Sequence, residues 1–267
     1  MSVSHRSTVD RIGAGTAVSN VVIPQLGRPT ILAVWAAAAL PMAALAWVVA
    51  PTLESRFSGV GDVPMFKALT VSLGLGLVWQ FALVLILLGR EQRSLRWSTV
   101  RDALWLHSPR SPRGGRVGGC LWLIVIPLAV LFLAEEFLPM LSRPPANRDL
   151  AAFLGSDAGR SFFAGNWVWF GVVVVMVVFN TVLGEELLFR GYLLPRMNGA
   201  FGRGDWFANG LLFAAYHVHM PWAFLASLAD AFVLAYPTKR YRSAWFGIAV
   251  HSAQSVAVVA LVLALVV

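Results

Sequence analysis

Long apolar runs set the limits on what this chain can become. Residues 31–50, 69–88, 121–133 and 168–183 each reach or approach the ~20 residues that carry a helix across a bilayer. Hydrocarbon offers backbone N–H and C=O groups no partner, so a run placed there must satisfy them internally as a helix. The chain is 58% hydrophobic and 13% charged, against roughly 25% charged residues in soluble domains. Too few charges remain to coat a water-facing surface. The expected fold is an all-α, polytopic transmembrane helix bundle of about seven spans, at 30–50, 66–88, 118–140, 167–189, 204–219, 221–236 and 244–266. The fifth and sixth are short and joined through Pro221.

This pattern divides the chain. Residues 1–29 read as a disordered cytoplasmic tail with no cleavable signal peptide, and 30–141 as an N-terminal three-span region. The stretch 142–166, with Pro144, Pro145, Asn147, Asp149 and Asp157, reads as an extracytoplasmic loop. Residues 167–267 form a C-terminal four-span core. The formal charge is +8, but its distribution argues against a nucleic-acid partner. Arg90, Arg93, Arg96, Arg101, Arg110, Arg113 and Arg116 fall between two apolar runs, Arg190, Arg196 and Arg203 in another gap, and Lys239, Arg240 and Arg242 in a third. Cytoplasmic loops carry this excess. With the N-terminus inside, only Arg56, Lys67, Arg143, Arg148 and Arg160 fall outside. The expectation is a multi-pass protein of the plasma membrane, with a cytoplasmic N-terminus and an extracytoplasmic C-terminus. The single cysteine, Cys120, excludes an internal disulfide and a cysteine-cluster metal site.

An ionisable residue inside a span costs several kcal/mol and marks function by default. Apart from Glu135 and Glu136, which read as a boundary marker at the outer end of the third span, such residues lie in the C-terminal half: Glu185, Glu186, Arg190, His217, His219, Asp230 and His251. On an α-helix Glu186 and Arg190 share a face in the favourable order for an ion pair. Glu185 turns ~100° away and is free to look elsewhere; the bland alternative is that both acids mark a span's end. Phe213 and His217 share a face, with His219 opposite, where it reads as interfacial. Ser255 lies one turn below His251, with Gln254 beside it. Asp230 could orient a histidine, and Gly210 with Ala214 suits close helix packing. A carboxylate and two imidazoles, Glu185, His217 and His251, are the ligand types zinc prefers. A metal there would activate water, and a glutamate could shuttle its proton.

The patterns Glu185-Glu186-x-x-x-Arg190, Phe213-x-x-x-His217 and His251-x-x-x-Ser255 resemble those of the CPBP family of intramembrane proteases, which includes the type II CAAX prenyl endopeptidases and bacteriocin-immunity proteins. The third pattern departs from the family, which often has asparagine where Ser255 stands. The resemblance implies a metalloendopeptidase cutting a membrane-associated protein or peptide in the lipid bilayer, with a divalent metal, zinc by ligand type, as cofactor. It makes Glu185 the catalytic base and His217 and His251 ligand or oxyanion-stabilising groups. Glu186 and Arg190 become a supporting pair, and Ser255 or Gln254 fills the asparagine's place. Two other readings stay open: a membrane scaffold or immunity protein without chemistry, and a proton-coupled transporter, which the lack of a visible internal repeat disfavours.

Overall fold

A computed structural model describes residues 21–57 and 63–267. The expected all-α bundle of about seven spans is what it shows. Four helices are long and apolar enough to cross a membrane: α1 (Arg28–Phe57), α2 (Pro64–Gln92), α7 (Trp167–Arg196) and α10 (Ala244–Val266). Between them lie α3 (Trp97–Ala103), the shorter apolar α4 (Gly119–Ala134), α5 (Leu150–Gly155) and α6 (Asp157–Phe163). Two more short elements, α8 (Asp205–Tyr216) and α9 (224–241), fill the interval between α7 and α10. No strand occurs among the described residues. Proline falls at the first helical positions of α1 and α2, where its missing N–H costs nothing.

Three boundaries differ from the sequence expectation. First, α7 runs to Arg196 instead of stopping near residue 189. Glu185, Glu186 and Arg190 therefore lie well inside a long helix, buried, and do not mark a span's end. Second, Arg196 is no loop residue. It is fully buried and forks onto Glu91 through Nε and Nη2 at 2.7 and 2.6 Å, while its Nη1 donates to the carbonyls of Tyr192 and Ala103. This clamps the end of α2 to the end of α7. Third, the expected tail is packed against the bundle at residues before 30. Leu26 N–H donates to the Arg196 carbonyl at 2.9 Å, and the Gln25 side chain bonds Pro195 and Gly199. The rest of the expected tail, residues 1–20, lies outside the described residues.

Capping explains the short helices of the 142–166 connector. The side chains of Asp149, Ser156 and Asn166 accept from the N–H groups of Ala152, Gly159 and Trp169, opening α5, α6 and α7. These helices bring Phe153, Phe162 and Phe163 against Phe66 of α2. Small residues set the tightest approaches. Gly210 of α8 meets Ala231 of α9 so closely that a Cβ would collide with it, as the spacing with Ala214 anticipated. A Cβ on Gly184 would stand 3.3 Å from the Leu77 carbonyl of α2. The main core gathers α1, α2, α7 and α8 around Leu188, Phe189, Phe213 and Tyr216.

Candidate functional site

From Phe179 to Leu193, α7 winds with i→i+5 bonds. Such π segments are usually single turns and often mark functional positions. The wider turn swings Glu185 towards the side of Arg190, further than α geometry places it, while Glu186 and Arg190 still meet. Arg190 Nη1 lies 3.2 Å from Glu186 Oε1, and neither side chain is exposed. The guanidinium stacks over the Phe213 ring at 3.9 Å, so the phenylalanine of the second motif serves the arginine of the first.

His251 on α10 comes to the same carboxylate: its Nδ1 is 3.1 Å from Glu186 Oε1. The N–H donates to the carboxylate, so Glu186 is held by an arginine from its own helix and a histidine from another. Phe132 of α4 closes the far side of the His251 ring at 5.3 Å. Gly247, one turn before His251, makes room for this arrangement. A Cβ there would land on Glu186 Oε2 and come within 3.2 Å of both Arg190 Cγ and Thr238 Oγ1.

His217 caps the C-terminus of α8. Its Nδ1–H donates to the Phe213 carbonyl at 2.9 Å, which leaves Nε2 with the lone pair, 3.9 Å from Glu185 Oε1. Both side chains are almost fully buried. The gap exceeds a hydrogen bond and suits one intervening small species. His219 is not set apart from this centre: its ring lies 5.3 Å from that of His217.

Helix packing thus builds two adjoining pairs, Glu185 with His217 and Glu186 with His251. The expected metal set, Glu185, His217 and His251, requires donors within about 2.0–2.2 Å of one ion. Glu185 and His217 face each other closely enough for two such donors. His251 is turned to Glu186, and among the described residues no three His, Cys, Asp or Glu side chains are grouped to hold an ion. As arranged, the residues do not fit a three-ligand centre.

The third motif's last position points elsewhere: the Ser255 hydroxyl pairs with Thr181, one turn before Glu185. Gln254 is half-buried on α10. Asp230 is buried in α9, whose first part packs against the segment carrying Glu135, also buried. Glu135 is therefore an inward-facing group, not a boundary marker; the side chain of Glu136 lies outside the described residues. Gln80, Tyr216, Thr238 and Gly247 escape a reading confined to acids, bases and histidines. Gln80 did carry a signal, as an amide in the middle of the apolar run of α2.

Residues 166–257 match the family model described as Rce1-like, type II CAAX prenyl endopeptidase. This match supports the likeness to the CPBP and CAAX protease family. The match covers about a third of the chain and contains all three motifs; Gln80, Glu135 and the helices that carry them lie outside it. No curated protein and no solved structure matches the chain. The apolar helices support a multi-pass membrane protein, and the matched region is similar to a protease family.

Proposed function

We propose that the chain is an intramembrane endopeptidase that hydrolyses a peptide bond in a membrane-associated protein or peptide, with Glu185 as general base. The observation that carries this reading is the buried pair of Glu185 Oε1 and His217 Nε2, 3.9 Å apart inside the bundle. Both atoms are acceptors once His217 gives its Nδ1 proton to Phe213. A water between them donates to each and turns its lone pairs outward, towards a scissile carbonyl. Glu185 takes one proton as the oxygen attacks and returns it to the leaving amine. Glu186 cannot play this part, because Arg190 and His251 already hold its carboxylate. Its role is to hold His251 as the imidazolium through Nδ1–H, so that the ring's Nε2–H is the donor assigned to the oxyanion formed in the attack.

The resemblance implies zinc at Glu185, His217 and His251, but the steps above run through the protein's own groups. Metal content decides that point. About one zinc per chain, lost in a variant carrying His217→Ala and His251→Ala, would restore the metal reading. The proposed setting remains the plasma membrane with the N-terminus inside, and the C-terminal four-span unit as catalytic core. Hydrolysis is tested on the full chain in proteoliposomes, with a farnesylated CaaX peptide and its unprenylated counterpart as probes. Glu185→Ala, His217→Ala and His251→Ala should each abolish product while inserting normally. Full proteolysis by any of the three would overturn the assignment. The pairing of the Ser255 hydroxyl with Thr181, where the family often has asparagine, favours one second reading, a non-proteolytic relative. Under it the wild type cuts neither probe and the alanine variants keep full biological activity.

A further inference from the structure

The connector between the two halves of the bundle does more than join them. Its helices α5 and α6 help to wall a partly enclosed cavity of about 370 Å³, together with α1, α2, α7, α10 and the turn between α8 and α9. That volume falls in the range of small-ligand pockets, ~300–1,000 Å³. Three phenylalanines, Phe66, Phe153 and Phe163, and three methionines, Met65, Met176 and Met220, line it. Methionine side chains adapt their shape to what they meet, and the aromatic rings add rigid apolar surface. Most of the lining residues lie outside 166–257, so the family likeness assigns the cavity no part.

The walls select what can enter. By volume roughly a dozen waters would fit, but each needs about two to four polar partners. The polar side chains here are few and largely engaged. Thr70 donates to the Phe66 carbonyl and Arg148 to the Ala46 carbonyl, and Asp149 accepts from the Ala152 N–H. A phospholipid would bring a phosphate, yet the charged lining residues are two acids, Glu54 and Asp149, against one arginine, Arg148. The Arg148 guanidinium also lies over the Trp47 ring at 4.1 Å. An uncharged apolar chain meets neither obstacle. The cavity also adjoins the proposed site. His219 and Met220 line it, and the His219 ring lies 5.3 Å from that of His217. On α2, Leu73 lines it one turn before Leu77, whose carbonyl passes Gly184, the residue before Glu185.

We propose that this cavity is a substrate subsite, taking bulky apolar side chains of a peptide whose neighbouring bond lies at Glu185 and His217. The inference rests on the reading of that pair as the hydrolytic site and adds a substrate class, a hydrophobic peptide segment with large residues such as leucine or phenylalanine beside the scissile bond. The connector and the first two long helices then take part in selectivity, which the matched region alone does not supply.

The test uses the full chain in proteoliposomes with a leucine-rich single-span peptide carrying a diazirine leucine, cross-linked by light and mapped by mass spectrometry. Adducts should fall on fragments holding Phe153, Met176 or Met220. An unlabelled leucine-rich peptide should suppress them about tenfold more effectively than an alanine-rich one, from the difference in apolar surface buried. Val258→Trp fills the cavity and should lower labelling about tenfold, whereas Val256→Trp, at an exposed position of the same helix, should leave it unchanged. Leu73→Trp fills the cavity from α2 and serves if Val258→Trp fails to insert. A phospholipid with a diazirine in its acyl chain should label exposed residues such as Val168 and spare the cavity. Labelling of the cavity by the phospholipid and not by the peptide would overturn the proposal, as would peptide adducts indifferent to both cavity-filling tryptophans. If the peptide labels the cavity while the wild type cleaves no peptide, the subsite stands and the hydrolytic reading falls. Cleavage of leucine-rich and alanine-rich peptides at equal kcat/KM, unaltered by Val258→Trp, sinks the subsite and leaves the Glu185 assignment intact.

Discussion

Gly247→Ala offers the sharpest check on how the buried charges are housed. On an isolated helix the change should help, since alanine exceeds glycine in helix propensity by about 1 kcal/mol. Here the added Cβ falls on Glu186 Oε2 and stands 3.2 Å from Arg190 Cγ and Thr238 Oγ1. None of these three residues is exposed, so none can swing into solvent to make way. Overpacking of this kind costs typically 1–3 kcal/mol. Moving the carboxylate also weakens its hydrogen bond with His251 at 3.1 Å, a bond to a charged group that contributes about 1.5–3 kcal/mol, and its ion pair with Arg190 at 3.2 Å. With partial loss of both, the expected destabilisation is about 3–5 kcal/mol, offset by at most ~1 kcal/mol of helix propensity. Gly171→Ala on α7 is the matched control, because its added Cβ meets nothing within 4 Å and should be neutral or slightly stabilising. Equilibrium unfolding of both variants in mixed micelles reads the difference. Gly247→Ala unfolding within 0.5 kcal/mol of the control would refute the steric account and the tight placement of Glu186 with it.

Other outcomes follow from the same geometry. Arg196→Ala removes both guanidinium bonds to Glu91 at the junction of α2 and α7, leaving the partly exposed carboxylate with Gln92, and should cost about 2–3 kcal/mol, measured by the same unfolding assay. A loss under 1 kcal/mol would show the clamp to be dispensable. Ser255→Ala should leave cleavage of the probe peptides at the wild-type rate and cost about 1 kcal/mol of stability, because its partner is Thr181. A large fall in kcat would return Ser255 to the site. Burial chiefly, with Arg110 adding to it and the Ser108 carbonyl opposing, pushes the His107 imidazole below its ordinary value of 6.5. The unfolded chain then binds the extra proton first, so stability should decline as pH falls through about 6.5. Replacing His107 with Gln should flatten that part of the profile, and an unchanged slope would count against the shift.

Much of the architecture was legible because the bilayer leaves one choice. Apolar runs near 20 residues can only be helices there, and α1, α2, α7 and α10 lie where the runs lie. The Glu186–Arg190 pair was equally readable, because four residues of helix bring the two to one face whether the winding is α or π. A close approach at Gly210 was suggested by its spacing with Ala214, although its partner Ala231 was not.

What the linear order could not convey is which face each helix turns to its neighbours. Glu185 and Glu186 are adjacent letters, yet one meets His217 of α8 and the other His251 of α10, a division made by the crossing of three helices. Glu135 and Arg196 read as edge and loop residues from hydropathy alone, and packing buries both, Arg196 against a partner 105 positions away. Gln80 lies 136 residues from Tyr216, outside every motif. Hydrophobicity is a property of a segment and survives in one dimension. The pairing of buried polar atoms depends on separations of 3 Å between chains far apart in sequence, and only the assembled bundle sets those.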